Sequence, residues 1–394
     1  MAHHRYLIVG GGMTADAAIA GIRQSDSSTT IGLIGADSHP PYNRPPLSKA
    51  LWKGEPLESI WRKTDHHGVD FHLGRTVRAV HPGEKSVTDD RGAVFTYEKL
   101  LLATGGVPRR LGFGGDQIIY YRTLDDYERL RALTQRGERF LVIGGGFIGS
   151  EIAAALAMNN KRVVMVYRDR WVGGRLFPED LARFVTDFYR RKEVEVIAGD
   201  AAVGLSPQGS RYVVRTQEKR EFMVDGVVAG LGIQPATDLA EAAGLNIDNG
   251  IVVDQLLRTS HPDIFAAGDV AAFQNPALGA RIRVEHEDNA NAMGRAAGQA
   301  MAGQGGPYTH LPFFYSDLFE LGYEAVGDVD ARLEVVPDWK EPYREGVIYY
   351  MKSGRVRGVL LWNTWGEVDA ARRLIADPGP FRASDLKGRL PAKA

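Results

Sequence analysis

Two glycine clusters carry the first chemical signal. Gly10-x-Gly12-x-x-Ala15 and Gly144-x-Gly146-x-x-Gly149 each follow a β-branched apolar run and open an alanine-rich stretch. In such a loop the first glycine makes the turn, the second brings backbone N–H groups to a pyrophosphate, and the third small residue packs helix on strand. The helix N-terminus then faces the negative charge. Two copies in one chain of 394 residues imply two different dinucleotides, and a nicotinamide donor beside a flavin is the common pairing. What is missing excludes other chemistry. The chain has no cysteine, which removes a dithiol relay, a thiol nucleophile and any Cys-ligated zinc or iron–sulfur site. No G-x-S-x-G elbow occurs, and no Lys-Ser/Thr follows either glycine loop. His3-His4 and His66-His67 lack ligand spacing along the chain, so no metal site is expected.

Each glycine loop needs a strand before it and a helix after it. The segment from Arg5 to Gly12 recurs from Arg139 to Gly146, with helical patterns over 15–23 and 150–159 and second apolar runs over 30–34 and 162–167. Strand, turn, helix, strand, twice, predicts an α/β chain with parallel sheets covered on both faces. Pro40-Pro41-Tyr42-Asn43-Arg44-Pro45-Pro46 reads as a loop, because each proline biases its predecessor towards extended geometry. Further strands are expected over 99–104, 211–216, 221–224, 226–231 and 264–267, and helices over 181–192 and 289–302. After a linker at 303–307 come paired strands around 323–326, 333–336, 346–351 and 356–362, with a last helix near Glu367. Lys+Arg is 48 against 49 for Asp+Glu, a balance with no footprint for nucleic acid or an anionic membrane. No run reaches the roughly 18 apolar residues of a membrane span. Nor does the N-terminal segment have the regions of a signal peptide. A cytoplasmic protein is the expectation.

Further blocks carry a family resemblance. Leu101-Leu102-Ala103-Thr104-Gly105-Gly106-Val107-Pro108-Arg109 resembles the segment where the chain passes between FAD and NAD domains, and Thr259-Ser260-His261-Pro262-Asp263-Ile264-Phe265-Ala266-Ala267-Gly268-Asp269 the second FAD signature, of the two-dinucleotide flavoprotein reductases, the pyridine-nucleotide–disulfide-reductase-like superfamily. Within it the chain most resembles apoptosis-inducing factor and the oxygenase-coupled ferredoxin reductases. The blocks are Pro41-Tyr42-Asn43-Arg44-Pro45-Pro46-Leu47-Ser48-Lys49, Gly146-Phe147-Ile148-Gly149-Ser150-Glu151, Arg283-Val284-Glu285-His286-Glu287-Asp288-Asn289-Ala290, Tyr315-Ser316-Asp317 and Leu361-Trp362-Asn363.

The resemblance implies two Rossmann-like FAD/NAD(P)-binding domains, glutathione-reductase-like, plus an α+β C-terminal domain. The boundaries would be 1–115 with 242–305 for FAD, 116–241 for NAD(P)H and 306–394 for the C-terminal domain. It implies hydride transfer from NADH, with NADPH possible, to FAD, and then to an external acceptor: a small iron–sulfur protein of the ferredoxin type. A quinone-type acceptor, or an NADH-sensing flavoprotein with slow turnover, is the alternative, in a monomer or homodimer. Lys49 and Glu151 would be the catalytic pair, the lysine stabilising developing charge on the reduced flavin and the glutamate holding the lysine. Cofactor contacts would come from Gly10, Gly12, Thr14, Ala15, Asp37, Arg44, Lys49, Val77, Ala103, Thr104, Gly105 and Arg109. Others would be Gly268, Asp269 (which would accept from the ribityl chain), His286, Glu287, Tyr315, Gly144, Gly146, Phe147, Ile148, Glu151, Asp169, Arg175, Gly232, Glu324 and Asn363.

Three positions depart from the family pattern. The acidic residue expected after the second strand falls at Ala36, leaving Asp37 as the next candidate; Glu287 replaces an aromatic or histidine; and Tyr315 replaces a tryptophan. Asp169 and Arg175 favour NADH, whereas Arg168 and Arg170 keep NADPH open.

Overall fold

A computed structural model describes residues 2–390. The chain divides into two compact units. One takes the described residues up to Asn43, with Glu58–Val107 and Gln234–Phe313; the other takes Arg44–Leu57, Pro108–Ile233 and the described residues from Phe314 onward.

The first unit is built on β1 (Ala2–Val9), α1 (Met13–Arg23), β2 (Ile31–Gly35), β3 (Val69–Leu73), β4 (Val77–His81), β5 (Ser86–Asp89) and β6 (Val94–Leu102). The strand order is β3-β2-β1-β6-β5-β4, and the short strand Ile264–Ala266 pairs in parallel with β6. The parallel strands β1, β2 and β6 bury runs such as Tyr6 to Val9 and Leu100 to Leu102, as a sheet covered on both faces requires. β4 and β5 extend the sheet in antiparallel fashion. The expected small-residue helix is Glu287–Met301, and it shows why its residues are small. A Cβ on Gly294 would stand 2.4 Å from the Thr14 carbonyl, and one on Gly298 2.0 Å from that of Ala18. Only glycine lets this helix lie backbone-to-backbone on α1.

The second unit contains β7 (Arg139–Ile143), α2 (Phe147–Met158) and β8 (Arg162–Tyr167). They lie in a five-stranded parallel sheet ordered Val194–Ala198, β8, β7, Gly226–Ala229 and Ile118–Tyr120. A three-stranded antiparallel sheet, Ala202–Gln208, Arg211–Thr216 and Glu221–Val224, follows. The C-terminal sheet has five strands ordered Phe313–Leu318, Leu321–Gly327, Arg355–Trp362, Glu345–Lys352 and Glu334–Glu341. Among the described residues, no helix is long and apolar enough to cross a membrane.

The segment after the proline loop forms two 3-10 turns, Pro45–Ser48 and Ala50–Lys53, with Lys49 between them. Pro45 and Pro46 provide the first turn, but Lys49 at φ −130°, ψ −93° interrupts any longer helix. The side chains then pin the segment. Trp52 Nε1 donates to the Leu47 carbonyl (2.8 Å), the buried Tyr121 hydroxyl also donates there, and Asn159 Nδ2 at the end of α2 donates to the Trp52 carbonyl (3.0 Å).

Candidate functional site

In the first unit, three neighbouring parallel strands deliver three loops to one edge. β1 leads into Gly10, β6 into Ala103-Thr104-Gly105, and Ile264–Ala266 into Gly268-Asp269. The C-terminal edge of a parallel sheet is where a dinucleotide binds. Gly10 sits at φ +118°, and a Cβ there would stand 2.1 Å from the Ala103 carbonyl oxygen. Gly268 is equally confined, since its Cβ would meet Thr14 Oγ1 at 2.3 Å. By contrast, a Cβ on Gly12, the residue capping α1, would meet no atom within 4 Å. The backbone is crowded where it turns and open where a phosphate would approach. Ala103 N–H is taken up by the Val9 carbonyl (2.8 Å), and Thr104 Oγ1 donates to the Ala236 carbonyl (2.9 Å).

The remaining first-unit candidates are spread around this edge. Asp37 lies past the end of β2, where it accepts from the His39 backbone N–H (3.1 Å) and the Tyr42 hydroxyl (3.0 Å). Its carboxylate is therefore oriented, with a tyrosine fixing one oxygen. Val77 is buried at the start of β4. His286 caps the helix that Glu287 begins. The His286 ring keeps part of its surface, yet protein atoms crowd it and draw its pKa down to about 4, against the opposing charges of Asp269 and Asp288. At neutral pH that imidazole is uncharged.

In the second unit the same glycine geometry recurs. Gly144 has φ +117° and a Cβ on it would stand 2.3 Å from the Gly230 carbonyl oxygen; one on Gly149 would stand 2.1 Å from that of Gly144; one on Gly146 would meet nothing within 4 Å. Phe147 and Ile148 open α2, and the exposed Phe147 ring meets Phe314 edge-on, centroids 5.1 Å apart. Beyond β8, Asp169 and Arg175 form an exposed pair at 3.4 Å. Gly232 accepts from the Arg109 backbone N–H (3.0 Å), and Arg44 Nη1 donates to the Arg122 carbonyl (3.3 Å). On the C-terminal sheet, Asn363 uses its side chain locally, accepting from Gly322 N–H (2.7 Å) and donating to the Arg344 carbonyl (2.7 Å). Glu324 has its carboxyl pushed up by burial and accepts from the Gly366 N–H at 3.3 Å.

A polar cluster of the second unit gathers side chains from three sequence-distant segments, around Lys49, Glu151 and Ser316. Lys49 Nζ donates to Glu151 Oε1 at 2.7 Å, with the two side chains 11% and 3% exposed. Ser316 Oγ donates to the same oxygen (2.6 Å) and Ser48 Oγ to the other (2.5 Å). Lys49 Nζ also stands 5.1 Å over the Tyr315 ring, a cation–π distance. Glu151 is thus a buried carboxylate with both oxygens satisfied by donors, the arrangement a charge out of water requires. Burial, reinforced by the nearby Glu151 charge, pushes the hydroxyls of Tyr189 and Tyr323 well above the usual tyrosine range, so both stay protonated.

Sequence reasoning placed Lys49, Glu151 and Tyr315 here but gave no role to Ser48 or Ser316. Both stand inside motif blocks, beside Lys49 and Tyr315, and that adjacency was the available signal. A second network was not anticipated. Arg62 donates to Asp16 of α1 (2.7 Å), Asn43 (2.7 Å) and Asn291 (2.8 Å), while Thr64 donates to the other Asp16 oxygen (2.5 Å), tying α1 to the Glu287–Met301 helix.

Comparison with known proteins decides the family. Residues 4–294 match the pyridine nucleotide-disulphide oxidoreductase family. The chain belongs to that family. Residues 297–341 and 336–377 match the C-terminal domain described as that of apoptosis-inducing factor, mitochondrion-associated. The chain is 35% identical, over 96% of its length and 94% of the relative's, to the 5,5'-dehydrodivanillate O-demethylase ferredoxin reductase subunit of Sphingobium sp.. It is 34% identical to mitochondrial apoptosis-inducing factor 1 of Dictyostelium discoideum, over 94% of this chain and 78% of that one. The fold matches putidaredoxin reductase in its covalent complex with putidaredoxin, with TM-score 0.89, 29% identity, and coverage of 96% and 94% of the two chains. As a member of this oxidoreductase family the protein is a flavoprotein oxidoreductase, and the family's cofactors are FAD and NAD(H). The two glycine cradles fit those groups: each is closed against a Cβ at its turn and open at Gly12 or Gly146.

Proposed function

We propose that the protein takes electrons from NADH through FAD to a ferredoxin-type iron–sulfur protein. The observation that carries this reading is the Lys49–Glu151 pair in a chain without cysteine. No thiol relay exists, so electrons leave the flavin directly. The similarity to a ferredoxin reductase subunit and to putidaredoxin reductase supports an iron–sulfur protein as acceptor.

The domain assignment that goes with this reading gives 1–115 with 242–305 to FAD, 116–241 to NADH, and 306–394 to the C-terminal domain. Bound FAD supplies the conversion between a two-electron donor and a one-electron acceptor. The chain's own residues do the rest. N–H groups at Gly10–Gly12 and Gly144–Gly146 take the pyrophosphates, and Asp269 takes a ribityl hydroxyl. Lys49 presents a fixed positive charge to the flavin, and Glu151, held by Ser48 and Ser316, keeps that ammonium from relaxing away. Asp37, oriented by Tyr42, accepts from the adenosine ribose of FAD. Asp169 accepts from a 2′-hydroxyl and so favours NADH. Cysteine-free composition suits the cytoplasm, where we place the reaction.

The C-terminal match to apoptosis-inducing factor favours a second reading, an NADH-sensing flavoprotein with slow turnover. One experiment separates them. Under the first reading the yellow holoprotein reduces cytochrome c with NADH rapidly only when a [2Fe–2S] ferredoxin is added. Slow reduction with persistent long-wavelength absorbance, unaffected by ferredoxin, supports the second.

A further inference from the structure

His4 is the least accommodated polar side chain in the first unit. It lies on β1 at 4% exposure, and neither ring nitrogen has a hydrogen-bond partner. An orphaned buried imidazole is costly unless something at that position satisfies it.

Two further ligand-type side chains lie beside it. β2 stands between β1 and β3, and β3 carries Asp70 and His72. A Cβ at Gly32 of β2 would be 2.6 Å from the His4 ring, so the absence of a side chain there gives the imidazole its room. His4 Nε2 lies 3.6 Å and His72 Nε2 3.3 Å from the same oxygen, Asp70 Oδ2. His72 Nε2 is also buried without a hydrogen-bond partner. One ligand atom from each of the three residues falls within 4.8 Å of the others, and among the described residues this is the one such group found. Donors around a tetrahedral zinc at about 2.0–2.1 Å stand roughly 3.3 Å apart. The two oxygen–nitrogen separations, 3.3 and 3.6 Å, are close to that spacing. Asp70, with its side chain 57% exposed, gives an ion access from solvent.

We propose that His4, Asp70 and His72 form a binding site for a divalent late transition cation, zinc in the first instance, that clamps β1 to β3. Two imidazoles and one carboxylate suit zinc or its neighbours and leave a fourth position for water. The spacing of histidines along the sequence did not suggest it, because the ligands meet across a sheet and not along one element. The site is made by strands, apart from the glycine loops, so its role is to fix the sheet, whatever the acceptor of electrons.

The test uses the FAD-loaded protein stripped with a chelating resin. Zinc is titrated by calorimetry, and cobalt is followed through its d–d absorption beyond the flavin band. One equivalent should bind, zinc should raise the melting temperature, and H72Q and D70N should each weaken binding at least tenfold. A variant carrying both H66Q and H67Q should bind as the wild type does. D70N alters an exposed side chain and keeps the test available where H72Q fails to retain FAD. Absence of a stoichiometric ion at about 100 μM zinc, or D70N binding with wild-type affinity, overturns the proposal.

Discussion

Replacing Lys49 with methionine removes the cation paired with a carboxylate that is only 3% exposed. Breaking a buried pair from one side costs about 3–5 kcal/mol, because the remaining charge is left without its counter-ion. Here the lower end applies, since Lys49 is itself 11% exposed and the Ser48 and Ser316 hydroxyls still donate to Glu151. About 3 kcal/mol, at about 2–4 °C per kcal/mol for a domain of this size, lowers the melting temperature by roughly 6–12 °C. Adding E151Q to K49M removes the stranded charge and should recover much of that loss, giving a coupling energy of about 2 kcal/mol in a double-mutant cycle. Activity separates from stability. A fixed charge aimed at the reacting centre contributes about a hundredfold or more in rate. Anaerobic stopped-flow of flavin bleaching by NADH should therefore slow by about that factor in K49M and remain slow in the double variant. A K49M protein that melts within a degree of the wild type and is reduced within twofold of its rate would refute the reasoning.

Other outcomes follow from single positions. G144A must place a Cβ 2.3 Å from the Gly230 carbonyl at φ +117°, and should abolish NADH binding by calorimetry while the FAD absorbance is retained. Asp263, bonded to Lys85 (2.6 Å) and Lys99, has its pKa lowered to about 2 chiefly by those two bonds. Its folded pKa lies below the unfolded value of about 3.8, so its contribution is complete above pH 4 and disappears as pH falls towards 2. D263N should cost about 1 kcal/mol at pH 7, discounted for the half-exposed lysines, and almost nothing at pH 2, as read by urea denaturation. D169A should lower kcat/KM for NADH about tenfold while changing that for NADPH little, which steady-state kinetics with both donors would show.

Much of this architecture was legible because glycine chemistry is local. Gly10 and Gly144 must be glycine for reasons set by their own φ and the carbonyl facing them, and the strand–helix pattern on either side confirms the loop. The small-residue helix was equally readable from its composition, although its partner, α1, was not. Other features depend on separations that spacing cannot show. The 3-10 geometry around Lys49 is set by Trp52, Tyr121 and Asn159, residues distant in sequence from the prolines that begin it. Ser48 and Ser316 meet on Glu151 only through tertiary packing. His4, Asp70 and His72 come together because β2 sits between β1 and β3 with a glycine in the gap. Lys49 and Glu151 were found through motif resemblance, since a loop lysine and a helix glutamate carry no signal alone.

The most direct measurement is the rate of cytochrome c reduction by NADH, with the FAD holoprotein, as a function of added [2Fe–2S] ferredoxin. The account predicts a low rate without ferredoxin, a saturating rise of at least tenfold with it, and loss of that rise in K49M. A rate indifferent to ferredoxin, or a purified protein that neither carries nor takes up FAD, would contradict it.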